Sequence, residues 1–373
     1  MRFIPVNKPD INSGDIKTIN KCIKSGWVSS SGKYINLFEK NFKKIVKRKY
    51  AVAVSSGTAA LDIAVKSLGL KAGDEVIVPN FSIISCINEI IRENLKPIFV
   101  DADPLTLNMD LNHIEQKITK KTKAIIVVHI YGLPVDMNKI LSIKKKYGLY
   151  LIEDAAEQLG QSYDDKPIGT FGDISTFSFF ANKHITTGEG GMIVTNKLSF
   201  YKKFLMFRNI SFSLKKQRFI HEDIGWNYRL TNLQAALGFS QLKRLKKFIS
   251  IKRKIGKYYN DQLKNYKGIQ LPLAKTNKSK NIYWVFTIII KKINAKKIIS
   301  LMKREGIECR PFFFPLNDQP IIKSLKLNNK DRFPVSKKLW KHGFYIPSGI
   351  GTRQKELSIV VKKLKKIFKK LKI

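Results

Sequence analysis

Four stretches of this chain carry residue types that could do chemistry together. The first is TFSFFANKHITTGEGG, residues 176–191. A lysine means little in a chain this rich in lysine. Lys183, however, follows an aromatic, apolar run and precedes a Gly-rich turn. Desolvation at such a place lowers an amine's pKa and makes it nucleophilic. Ser178, five residues earlier, offers a hydroxyl to the same site, and His184 reads as structural rather than catalytic.

The second stretch is LIEDAAE, residues 151–157, in which acids follow directly on an apolar strand. Carboxylates at a buried strand end are costly unless partnered. For Asp154 and Glu157 a protonated ring nitrogen is a suitable partner; a metal or a helix cap are the alternatives. The third, SSGTAAL (55–61), is a strand–turn–helix in which small residues let backbone N–H groups approach an anion. Gly57 and Thr58 would open a helix whose N-terminus adds partial positive charge; the plainer reading makes Thr58 a helix cap. The fourth, GWNYRLTN (225–232), is polar and aromatic and reads as an exposed loop or an interface.

The elements that must position these residues alternate between strand and helix. Apolar strands are predicted at 51–55, 75–79, 97–100, 124–129 and 149–152, with helices from Gly57 to Leu70, at 84–93 and at 137–147. Near-continuous apolar strands between amphipathic helices imply a mostly parallel sheet covered on both faces. Ligands then gather at the carboxyl ends of the strands. A further short strand follows Gly191, and 233–259 reads as one long helix bridging to a second domain with a strand at 283–290 and a helix at 295–305. The expected division is an N-terminal segment, 1–12, resting on the second domain, then a large domain, 13–245, and a small C-terminal α+β domain, 246–373.

Lysine plus arginine number 70 against 28 acidic residues, a formal charge of +42. The lysines are spread along the whole chain, which fits solvated faces rather than a nucleic-acid-binding module. A positive field of this kind attracts anionic substrates. The basic amphipathic stretch 357–373 could lie on an anionic membrane, but packing its apolar stripe on its own domain is the favoured reading. No apolar run reaches the ~18–20 residues of a membrane helix, and no signal peptide is recognised. Three separated cysteines form neither a disulfide framework nor a metal site, which points to the reducing cytoplasm.

With SSGTAAL, HIYG (129–132), IEDAAE, FSFFANKHITTGEGGM and NYRLTNLQAA in this order, the chain resembles the sugar-nucleotide aminotransferases of the DegT/DnrJ/EryC1/StrS group, from Gly26 nearly to its C-terminus. The resemblance implies the aspartate-aminotransferase (type I) fold and the cofactor pyridoxal 5'-phosphate (PLP). It makes Lys183 the Schiff-base lysine and Asp154 the partner of the pyridinium nitrogen. Glu157 falls near the ring hydroxyl, and Gly57, Thr58 and Ser178 fall on the phosphate. Asn227 would reach that phosphate from a neighbouring subunit of a homodimer with shared active sites. Trp27, Ser29, Ser30, Arg229 and the region of Phe314 would lie toward the substrate. The implied reaction moves an amino group from glutamate to a nucleotide-linked 4-keto-6-deoxyhexose, with GDP ahead of UDP or dTDP. Two positions depart from the pattern. Ile83 stands where an aromatic residue usually stacks on the PLP ring, with Phe81 as a substitute, and Phe314 stands where a histidine precedes the proline.

Overall fold

The computed structural model describes residues 3–213, 219–327 and 331–373. Its centre is a seven-stranded sheet in the order Tyr50–Val54, Gly191–Thr195, Ile174–Ser178, Tyr150–Asp154, Thr122–Val128, Glu75–Pro79, Lys96–Val100. Only Gly191–Thr195 runs against its neighbours; every other pairing in this sheet is parallel. This is the mostly parallel sheet expected from the apolar runs.

Strand periodicity divides the core in two. Val52, Val54, Ile126, Ile152 and Ile193 join the cluster under the helices Gly57–Leu68 and Leu198–Arg208. Ala51, Ala53, Ile125, Leu151 and Met192 join the opposite one. Side chains on a strand alternate between faces, so Glu153 and Asp154 must point to opposite sides of the sheet.

A second, four-stranded antiparallel sheet is ordered Ile269–Gln270, Phe286–Ile290, Gly343–Ile346, Arg310–Pro311. It has its own core with the helices Leu245–Leu263, Ala295–Arg304 and Gln354–Lys370. The start of the chain is attached there: Ile4 bridges Ile307, and the N–H of Val6 donates to Glu308 at 2.9 Å. In the last helix Leu357, Val360, Val361, Leu364, Ile367 and Phe368 are buried, so its apolar stripe covers its own core. Among the described residues no helix is long and apolar enough to cross a membrane.

One expected element differs. The single helix at 233–259 is two helices, Asn232–Leu242 and Leu245–Leu263. Neither Gly nor Pro marks the break, so apolar periodicity runs straight through it. The turn falls at Arg244, whose guanidinium is drawn to Asp10 at 2.8 Å and to Asp15. That partner is more than two hundred residues away in sequence.

Candidate active site

The carboxyl ends of the parallel strands meet the edge of the second sheet around a cavity of about 420 Å³. Lys183, Asp154, Glu157, Gly57, Thr58 and Ser178 all line it. The four sequence stretches therefore do not share one place: three converge here, and the fourth lies elsewhere.

Lys183 is carried by the turn after Ile174–Ser178. Its N–H donates to Phe180 O at 2.9 Å, and the Gly-rich segment closes back on Phe179, which binds the Gly190 carbonyl (2.8 Å) and accepts from the Thr187 N–H (3.0 Å). Gly188 has φ +82°, a left-handed conformation suited to glycine. A Cβ on Gly191 would stand 2.3 Å from Ser56 O, and one on Gly57 would stand 2.8 Å from the Ser178 Cβ. Glycines here let the two strand ends close up. Ser56, not Thr58, caps the helix, its Oγ accepting from the Ala59 N–H at 3.0 Å. Thr58 Oγ1 instead lies 2.9 Å from Ser85 Oγ on the cavity wall. The N–H groups of the first helical positions have no partner in the helix, and Gly57 lies against the Ser178 side chain.

Asp154 and Glu153 have separate lives. Glu153 accepts from the N–H groups of Gly169 (2.6 Å), Phe171 (3.0 Å) and Gly172 (3.0 Å) and from Ser175 Oγ (2.9 Å). Burial would raise its pKa, but His129 at 3.3 Å and these N–H groups hold it down at about 2. It is a structural hub on the far face. Asp154 faces the cavity, 3% exposed, with Oδ1 on the Ala156 N–H at 3.0 Å. Burial pushes its pKa up, against the Ala156 N–H and the Lys183 charge. Glu157 Oε2 accepts from the Tyr131 N–H at 2.6 Å, and burial pushes its pKa up to about 8. The Lys183 amine is pushed down by burial and up by the Glu157 and Asp154 carboxylates. His184 turns away: its ring is buried, burial and the charge of Lys252 hold its pKa down at about 3, and it does not line the cavity.

The second sheet's side of the cavity supplies walls that sequence reasoning missed: Trp284, Arg310, Phe313 and Tyr345. Trp284 sits in the apolar run YWVF and looks like core; nothing local marks it as facing a cavity. Phe313 takes the wall place, stacked on Tyr131 (5.4 Å, 21°), while Phe314 packs on Trp340 (4.8 Å) one residue further along. Ile83 does line the cavity, 50% exposed. Phe81 does not; it is 1% exposed in a cluster with Tyr131, Phe312 and Phe313.

Trp27, Ser29, Ser30, Asn227 and Arg229 do not line this chain's cavity. The loop bearing the first three is tied to Asn232, whose Nδ2 donates to Trp27 O and whose N–H donates to Ser29 O, each at 2.6 Å. Trp27 is 61% exposed. Asn227 is exposed and bridges Asn209, which also accepts from Arg229 at 2.6 Å.

These residues fit PLP. Gly57, Thr58 and Ser178 form a small-residue cradle with free first-turn N–H groups for a phosphate, and a Cβ on Gly57 would intrude on it. Asp154 is a buried carboxylate lining the cavity, the acceptor a pyridinium N–H needs. Thr176 Oγ1, on the same wall, is buried without a hydrogen-bond partner among the described residues. Lys183 supplies the amine.

Fold and site together define a PLP-dependent aminotransferase of fold type I. The sequence profile of the DegT/DnrJ/EryC1/StrS aminotransferase family matches residues 9–365, and the chain belongs to that family. It is 39% identical over 370 residues to a GDP-perosamine synthase of Vibrio cholerae, covering 98% of this chain and 99% of that protein. It is 41% identical over 352 residues to a GDP-perosamine synthase of Escherichia coli O157:H7, covering 93% and 94%. The structure of the E. coli GDP-4-keto-6-deoxy-D-mannose-3-dehydratase with bound hydrated PLP superposes with a TM-score of 0.90 at 28% identity, covering 98% of this chain and 100% of that one. The chain is a sugar-nucleotide aminotransferase.

Proposed function

We propose that this enzyme takes an amino group from glutamate and places it on C4 of a nucleotide-linked 4-keto-6-deoxyhexose, with GDP-4-keto-6-deoxymannose as the substrate. The observation that carries the reading is the convergence of Lys183, Asp154 and Glu157 with the Gly57–Ser178 cradle on one cavity of about 420 Å³. GDP and C4 rest on likeness to two relatives named GDP-perosamine synthase. The product would be a 4-amino-4,6-dideoxy sugar nucleotide for glycan or O-antigen assembly.

When bound, PLP supplies an electron sink for the carbon that loses or gains a proton. This chain's residues do the rest. Asp154, kept from water, would hold the ring nitrogen's proton. Glu157, fixed by the Tyr131 N–H, would stand at the ring hydroxyl. Gly57, Thr58 and Ser178 would anchor the phosphate, so that the amine of Lys183 is aimed at one carbon. Lys183 Nζ would carry the proton between positions in each half-reaction, as a general acid–base. Deprotonation is eased by burial, and reprotonation by the nearby carboxylates.

A dehydratase reading requires a histidine in the lysine's place. His184 is next in sequence, but Lys183 lines the cavity and His184 does not, which favours amino transfer. We propose further that two copies pair, with Asn227, Arg229, Trp27, Ser29 and Ser30 completing the partner's cavity; that none of them lines this chain's own cavity, and that Trp27, Ser29 and Asn227 are exposed, supports it. The same reading takes 13–245 as the PLP-binding domain and 246–373 as the smaller one, in the cytoplasm.

Purified enzyme offered GDP-, UDP- and dTDP-linked 4-keto-6-deoxyhexoses with glutamate tests the substrate. The expected result is turnover of the GDP sugar, with mass and NMR placing the new amine on C4. An amine on C3, or turnover of UDP or dTDP sugars alone, contradicts it.

A further inference from the structure

Lys183 does not hang free in its cavity. Its Nζ lies 3.9 Å from the centre of the Trp284 ring, well within the ~6 Å at which an aromatic face attracts a cation. Trp284 is 5% exposed. Its indole N–H donates to Asn182 O at 2.9 Å, and Asn182 is the residue directly before the lysine. The ring is further stacked on Tyr131 at 6.0 Å and 26°. It is thus fixed both to the backbone that carries Lys183 and to the aromatic wall.

The charged and titratable groups around the amine are Asp154 and Glu157 from the strand end, Glu189 from the turn, and Arg310 and Tyr345 from the second sheet, with His184 behind it. Glu189 is exposed, and the two buried acids, Asp154 and Glu157, are the obvious counter-charges. Yet Asp154, with a cofactor bound, is given to the ring nitrogen, and Glu157 already holds the Tyr131 N–H at 2.6 Å. Arg310 repels a cation and is itself paired with Glu308 at 3.0 Å. The aromatic face is a cation-favouring surface within reach of the amine.

We propose that Trp284 is a positioning residue: its ring face receives the Lys183 ammonium whenever the amine is free, keeping the proton on Nζ and the side chain beside the cavity. The inference rests on Lys183 being the cofactor lysine, as proposed above. It explains why a tryptophan from the second domain's strand lead-in is buried against the first domain's lysine.

The test uses cofactor uptake rather than turnover. Apoenzyme is mixed with PLP across a range of pH, and the rise of yellow absorbance is followed. Only the neutral amine condenses, so the rate inflects at the pKa of the free Lys183. Trp284→Leu removes the face that stabilises the ammonium and should move the inflection down by about one pH unit. Trp284→Phe, which keeps a ring, should move it about half as far. A purely structural tryptophan would change the amount or tightness of cofactor bound without moving the inflection. If the leucine variant does not fold, judged by circular dichroism, the phenylalanine variant decides alone: a downward shift supports the proposal and an unchanged inflection overturns it. A wild type that turns yellow while both variants keep its inflection, or shift upward, overturns this inference and leaves the reading of Lys183 standing. A wild type that never takes up PLP overturns both.

Discussion

In both Lys183 and Lys252 burial pushes the amine toward its neutral form, but their surroundings differ in kind. Lys183 lines a cavity, with Asp154 and Glu157 across it and the Trp284 ring against its Nζ. Lys252, 3% exposed on the helix Leu245–Leu263, donates to the backbone carbonyl of Ser348 and has no carboxylate partner among the described residues. Ser348 in turn gives its N–H to Val6 O at 3.1 Å and accepts from the Phe286 N–H at 3.2 Å. One amine is set among opposite charges around space for a ligand. The other is a tether in closed packing, joining the start of the chain, the long helix and the second sheet. Residue type does not separate them in a chain with 70 basic side chains; what faces the amine does.

The carboxylates facing Lys183 matter most if Asp154 is indispensable to the reaction. Asp154→Asn should lower kcat for amino transfer on the order of 10²-fold or more, with circular dichroism unchanged. Retention of most activity would show that another acid serves the ring nitrogen. A smaller effect is expected at Lys252. Burial holds its pKa at about 7 against 10.5 when solvated. The unfolded chain therefore binds the proton between these values and the folded chain does not, so stability rises with pH across that window. Lys252→Met removes the buried amine but strands the Ser348 carbonyl. The expected net effect is a gain of roughly 1 kcal/mol at neutral pH, shrinking toward about pH 10. Urea unfolding at the two pH values measures it. A loss at both would make the tether worth more than its desolvation.

The strand-end part of the site was legible because it is local. A parallel sheet puts the ends of consecutive apolar runs together, so Gly57, Thr58, Asp154, Glu157, Ser178 and Lys183 could be read as one cavity from their places after strands. What was not legible depends on contacts between distant segments. Trp284, Arg310, Phe313 and Tyr345 reach the cavity from the second sheet, and their short apolar or mixed surroundings read as core. The break at Arg244 comes from acids at Asp10 and Asp15, not from any local breaker. Phe81 was expected near the cofactor ring, but the chain after Glu75–Pro79 turns it into the aromatic cluster and leaves Ile83 on the wall. Phe314 and Phe313 differ by one position, which along an extended chain is the difference between two faces.

Loading the enzyme with PLP, reducing it with borohydride, digesting it and locating the fixed cofactor by peptide mass identifies the Schiff-base lysine. The expected result is one cofactor per chain, on Lys183, and none fixed in Lys183→Ala. Cofactor fixed on another lysine, or a protein that remains colourless with excess PLP, would contradict it.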